Sequence, residues 1–142
     1  RAGYADAMRS ALPDQPLRIV ETLYSYEGGT IAAGNLIDQG CTGIVCGSDI
    51  MALGAIGGAR RRGLAIPEEL SVIGYDDTAL IPMTNPPLST VRQPVAAICR
   101  AAVTTLMSII ADEEIPDREV LFAPDLIVRG STAQVPHPTT VG

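Results

Sequence analysis

Side chains able to grip a small polar molecule gather at three places in this chain: Tyr24, Ser25 and Tyr26; Ser48 and Asp49; Asp76 and Asp77. A carboxylate accepts two hydroxyl hydrogen bonds, and an aromatic ring stacks on the apolar face of a sugar or base. Together they equip a pocket for a small polyhydroxylated or heterocyclic molecule. They do not equip a catalyst. Neighbouring residues at a strand end point to opposite sides, so Asp76 and Asp77 make a poor dyad. No His or Lys stands beside them to move a proton. The single histidine, His137, falls in a Pro/Thr tail, and Cys41, Cys46 and Cys99 match no CxxC spacing. No catalytic residue, metal site or cofactor is therefore expected. Each candidate also has a plainer use. Asp49 can cap a helix, Asp77 can hold the turn at Thr78, and Tyr24 can pack as a half-buried ring.

The elements that must carry these residues read as alternating strands and helices. A helix over Ala2 to Leu12 is broken by Pro13 and Pro16, and Leu17 to Val20 reads as a strand. Gly28-Gly29 opens a second helix that Gly40 ends, and Gly43 to Cys46 is a short apolar run suited to a strand buried on both faces. Ser48-Asp49 caps a third helix that runs to about Arg62, with Gly63 as its terminator, and Leu70 to Tyr75 is the third strand. Two such strand–helix–strand units give parallel strands, and ligands gather beyond the carboxyl ends of parallel strands. All three residue groups lie just past a strand.

From Thr78 the pattern changes to a proline-rich loop, an extended stretch at Leu88 to Arg92 and a long helix opened by Gln93-Pro94. That helix repeats apolar residues from Val95 to Ile110 at helical spacing, so it either packs on a second copy or leaves apolar surface exposed. Glu119 to Phe122 and Asp125 to Arg129 read as extended, and residues 131 to 142 as a tail. The fold class is α/β: three layers, α/β/α, around a mostly parallel sheet.

The 142 residues carry 16 acidic and 10 basic side chains, a net charge of −6, and no Trp. That balance excludes a chain that wraps nucleic acid. Arg60-Arg61-Arg62 sits in the last turn of the third helix, where cations complement the helix dipole. The small residues Gly54, Ala55, Gly57, Gly58 and Ala59 lack the spacing of a dinucleotide fingerprint and point to close approach of another helix or subunit. No apolar run approaches the ~20 residues of a membrane span, and residues 1 to 15 do not read as a signal peptide.

At this point a resemblance stands on several ordered stretches. Cys46-Gly47-Ser48-Asp49-Ile50-Met51-Ala52-Leu53-Gly54-Ala55, Gly63-Leu64-Ala65-Ile66-Pro67 and Ser71-Val72-Ile73-Gly74-Tyr75-Asp76-Asp77 resemble the LacI/GalR family of bacterial transcriptional regulators. So do Pro87-Leu88-Ser89-Thr90-Val91-Arg92-Gln93-Pro94 and Leu126-Ile127-Val128-Arg129-Gly130-Ser131-Thr132. The resemblance implies a type I periplasmic binding protein-like core, with ligand held between two lobes joined by hinge strands. Residues 1–92 would be most of the C-terminal lobe, 93–128 a hinge, helix and strand of the N-terminal lobe, and 129–142 a return segment and tail. The rest of the N-terminal lobe and the DNA-binding helix-turn-helix would precede Arg1.

It further implies ligand contacts at Arg1, Tyr24, Ser48, Asp49, Asp76 and Gln93, with Ser48-Asp49 replacing the Asn-Asp frequent in relatives. A homodimer interface is implied at Met51, Ala52, Ala55, Ala59, Leu80, Ile81 and Met83. The expected function is the sensing and dimerisation core of a cytoplasmic LacI-type repressor. A sugar or similar effector would change operator binding by the absent domain, so DNA is a partner only through that domain and a membrane is not one. The alternative is a periplasmic sugar-binding protein of the same fold.

Overall fold

The computed structural model describes residues 1–113 and 119–134. Its elements are α1 (Ala2–Ala11), α2 (Tyr26–Asp38), β1 (Gly43–Val45), α3 (Asp49–Arg61), β2 (Ser71–Asp76), β3 (Ser89–Arg92), α4 (Val95–Ile110) and β4 (Asp125–Ile127), with a 3-10 turn at Ile81–Met83. The sheet has the order β1-β2-β3-β4. β1, β2 and β3 run parallel, with Ile44 opposite Val72 and Asp76 opposite Arg92. β4 returns antiparallel, placing Thr90 opposite Ile127. The expected α/β fold with a mostly parallel sheet is found.

Two expected strands are not. Leu17 to Val20 joins no ladder, and Leu17 and Ile19 are 42% and 40% exposed. A strand is a paired state whose backbone groups need a neighbour, and this segment forms no ladder with any described strand. Residues 119 to 122 likewise pair with nothing, and the later extended run is a strand only over Asp125–Ile127. His137 and Pro116 fall outside the described residues.

The core is made by α3 lying on the sheet. Ala52, Ala55, Ile56 and Ala59 pack with Ile44, Leu70, Val72, Ile81 and Leu88, all buried. This corrects the expected subunit interface, because Ala52, Ala55, Ala59 and Ile81 are each at most 1% exposed within their own chain. Of the small residues, the glycines Gly54, Gly57 and Gly58 serve a second helix of the same chain. On another side of α3, Gly54 lets α2 approach so closely that a Cβ there would lie 2.0 Å from the Tyr26 carbonyl oxygen. The Thr30 hydroxyl donates to the Gly54 carbonyl at 2.9 Å across the same contact. At the far end of the helix pair, Arg62 donates to both carboxylate oxygens of Asp38, at 2.5 and 3.1 Å. Gly63, at φ +81°, ends α3 as its sequence position predicts: the Gly63 and Leu64 amides return to the Arg60 and Ala59 carbonyls.

Neither α1 nor α4 buries a residue. On α4, Val103, Leu106, Met107, Ile109 and Ile110 are each more than half exposed, so the described part of the chain does not cover the apolar stripe itself. Among the described residues no helix is long and apolar enough to cross a membrane.

Candidate functional site

The parallel sheet delivers β1 and β2 to one carboxyl edge, and the candidate residues follow from that. The Cys46 amide donates to the Ile73 carbonyl at 2.9 Å, carrying the ladder one residue past β1. Ser48 then starts α3. Its Oγ accepts from the Met51 amide at 3.4 Å, the weak end of a capping bond, and the side chain is buried against the helix entrance. Tyr24 comes from the preceding segment and lays its ring over Gly47, where a Cβ would meet the phenol oxygen at 3.1 Å. The ring is 73% exposed, so it is no packing aromatic but an open platform.

On the neighbouring strand, Asp76 ends β2 half-buried and its Oδ1 accepts from Gln93 Nε2 at 2.8 Å. Asp76 and Asp77 both carry positive φ, +117° and +57°, a conformation that non-glycine residues rarely adopt. Their side chains part as strand geometry predicts. Asp76 turns to Gln93, whereas Asp77 turns to Arg92 and Arg129. A shallow cavity at this corner is lined by Asp76, Asp77, Arg92, Gln93, Ala97 and Arg100, among others. Arg1, at the start of α1, pairs with Glu21 on the segment leading to Tyr24, and both are exposed.

Asp49 is placed differently from expectation. It is 2% exposed and its carboxylate faces inward. Oδ1 accepts from Thr90 Oγ1 at 2.6 Å and Oδ2 from the Thr78 amide at 2.9 Å. One buried carboxylate thus ties α3, β3 and the turn after β2. It reaches no open surface and is withdrawn from the rim. The same bond shows that Asp49, not Asp77, holds the Thr78 turn. Of the expected interface residues, Leu80 and Met83 are strongly exposed and Met51 half-buried.

Sequence reasoning passed over the ion cluster at Asp77. Arg92 Nε donates to Asp77 Oδ2 at 2.6 Å, and Arg129 Nη2 lies 2.7 Å from Oδ1 without the alignment of a full hydrogen bond. Burial pushes the Asp77 carboxyl up, but the close guanidinium groups of Arg129 and Arg92 outweigh it and hold the group below its ordinary value. Beneath the edge, burial pushes the Cys46 thiol up to about 12, so it stays protonated and unreactive. Among the described residues no cluster of His, Cys, Asp and Glu could hold a metal ion.

The fold recurs in known proteins. Residues 1–132 match the family described as the periplasmic binding protein-like domain. The chain is 54% identical over 136 residues to an uncharacterized HTH-type transcriptional regulator, encoded in the aml 5′ region, from Streptomyces limosus, which covers 93% of this chain and 39% of the relative. A LacI family transcriptional regulator from Enterococcus faecium, solved with bound ribose, superposes with a TM-score of 0.81 at 28% identity, covering 94% of this chain and 51% of that one. The complex of the transcriptional regulator CelR with cellobiose gives 0.83 at 27% identity, covering 91% and 40%. The chain thus spans about two-fifths of the length of the curated relative it matches.

Proposed function

Since this chain belongs to the periplasmic binding protein-like domain family, in the LacI/GalR line of transcriptional regulators, we propose that its sheet edge holds a small sugar-type effector and that the chain is the sensing part of a longer regulator. One observation carries the reading: the open Tyr24 ring over Gly47 and the Asp76 carboxylate steadied by Gln93 stand at the carboxyl ends of the neighbouring parallel strands β1 and β2. The ring offers a face for the apolar side of a pyranose or furanose. Asp76 Oδ2 and the unused lone pairs of Oδ1 accept neighbouring hydroxyls, and the Ser48 hydroxyl and Gln93 amide add polar contacts. Arg1 contributes only after it leaves Glu21. The ribose and cellobiose bound by the two solved neighbours support this chemical class.

Residues 1–92 form the C-terminal lobe in this reading, 93–128 the hinge and part of the second lobe, and 129–142 a return segment and tail. The exposed stripe of α4 faces the rest of that lobe. An effector between lobes shifts their arrangement only by its differential affinity for the two states. That shift reaches DNA through the helix-turn-helix that the relative's name records. The exposed Leu80 and Met83, with Met51, supply the apolar surface for a homodimer. The relatives are regulators, which favours this reading over the solute-binding alternative and over catalysis.

Isothermal titration with cellobiose and with ribose tests it on the wild-type chain and on Asp76→Ala. Losing a charge-assisted hydrogen bond of about 1.5–3 kcal/mol weakens binding roughly 10- to 150-fold. The sugar is recovered unchanged. Equal affinity in the variant, or consumption of the sugar, overturns the reading.

A further inference from the structure

The geometry points to Asp77 as a positioning residue for the binding carboxylate: it touches no effector itself, and it holds Asp76 in its unusual backbone conformation through Arg92 and Arg129. This rests on the effector reading above for its purpose, though not for its physics. Two successive non-glycine residues at positive φ cost on the order of 1–3 kcal/mol each and persist only where their surroundings over-determine them. The surroundings do so on both sides of Asp76.

Before it, Tyr75 is fixed in the ladder opposite Val91. After it, the Asp77 side chain is 5% exposed and lies between two guanidinium groups. Each arginine is anchored in its own way. Arg92 sits on β3 directly opposite Asp76, and Arg129 also donates to the Leu88 carbonyl at 2.8 Å. One residue further, the Thr78 amide is held by buried Asp49. Asp76 is therefore strung between fixed points, and its carboxylate is presented to Gln93 as a consequence. Arg129 follows the return strand and Arg92 precedes the helix, so one carboxylate also joins the two chain passages that border the edge.

The test reads the Gln93 side-chain amide in ¹H–¹⁵N spectra of the full chain, in Asp77→Asn, Arg129→Gln and Arg129→Lys. Bonded to Asp76, the Gln93 amide protons are shifted and exchange slowly. In Asp77→Asn and Arg129→Gln they move to free-amide positions and exchange faster, while the Val72 and Leu88 backbone amides keep their protection. Arg129→Lys keeps the charge and returns much of the signal. If Gln93 is unmoved in Asp77→Asn and Arg129→Gln, or if both lose core protection and simply unfold, Asp77 is not a positioning residue.

Cellobiose serves as the probe in a second arm, with affinity falling about tenfold in Asp77→Asn, the worth of one charge-assisted hydrogen bond. A changed Gln93 signal in a chain whose wild type ignores the sugar refutes the effector reading and leaves the positioning role standing. An unchanged sugar affinity in Asp77→Asn, with the wild type binding, refutes the positioning role.

Discussion

Gly54→Ala puts the helix packing to a quantitative trial. In a helix interior the change from Gly to Ala is worth about 1 kcal/mol in favour of the variant. Here the new Cβ would sit 2.0 Å from the Tyr26 carbonyl oxygen and 3.0 Å from the Thr30 amide nitrogen, both of them backbone atoms that cannot swing aside. Real Cβ contacts essentially never fall below 3.0 Å, so α2 must retreat by roughly an ångström at its first turn. Overpacking of this kind costs about 1–3 kcal/mol. The Thr30–Gly54 bond, worth about 1 kcal/mol, loosens as well. The net expectation is destabilisation by about 1–3 kcal/mol. Gly58→Ala is the internal comparison, because its Cβ meets nothing nearer than 3.3 Å, and it stays within about 1 kcal/mol of wild type.

Urea titration followed by far-UV circular dichroism measures both, as the chain has no Trp to report by fluorescence. Gly54→Ala at or above wild-type stability refutes the intrachain packing. A midpoint that depends on protein concentration in wild type but not in Gly54→Ala returns the stripe to a subunit interface.

Asp49→Ala removes two hydrogen bonds to a buried carboxylate and costs about 3 kcal/mol or more, with Asp49→Asn costing less; a urea midpoint unchanged by either places Asp49 on the open rim after all. Asp77 has a folded pKa held below its unfolded value, so its contribution is complete above about pH 4 and fades as pH falls through the folded value. Stability measured from pH 6 to pH 2.5 is therefore steeper for wild type than for Asp77→Asn, with exposed Asp38 adding a small slope of the same sign to both; parallel curves contradict the paired-arginine account. Iodoacetamide at pH 8 modifies exposed Cys99 first and Cys46 only after denaturant is added; early labelling at Cys46, seen by peptide mass, contradicts its burial.

Much of this architecture was legible in the residues. Helix ends followed from Ser48 and Gly63, whose side chain and whose lack of one satisfy terminal backbone groups whatever the tertiary fold. The parallel pairing of β1 with β2 followed from the strand–helix–strand pattern that joins them, whereas β3 was legible only as an extended stretch. Leu17 to Val20 has the composition of a strand but no partner in the described chain, and pairing is not written in a single segment. The small residues of α3 signalled close approach correctly, yet spacing does not say whether the neighbour is Tyr26 and Thr30 of the same chain or a second copy. Asp49 and Asp77 show the same limit at the site. Adjacent positions at a strand or helix end send their side chains to opposite sides, and only the tertiary fold decides which carboxylate meets Thr90, which meets arginine and which is left for a ligand.

The most direct measurement is a ¹H–¹⁵N titration of the chain with cellobiose and ribose, following backbone and side-chain amides. The account predicts saturable shifts gathered at Tyr24, Gly47, Ser48, Asp76 and Gln93, with the α2–α3 face around Asn35 and Arg61 silent. Shifts gathered on that helical face instead, or none at any sugar concentration, would contradict it.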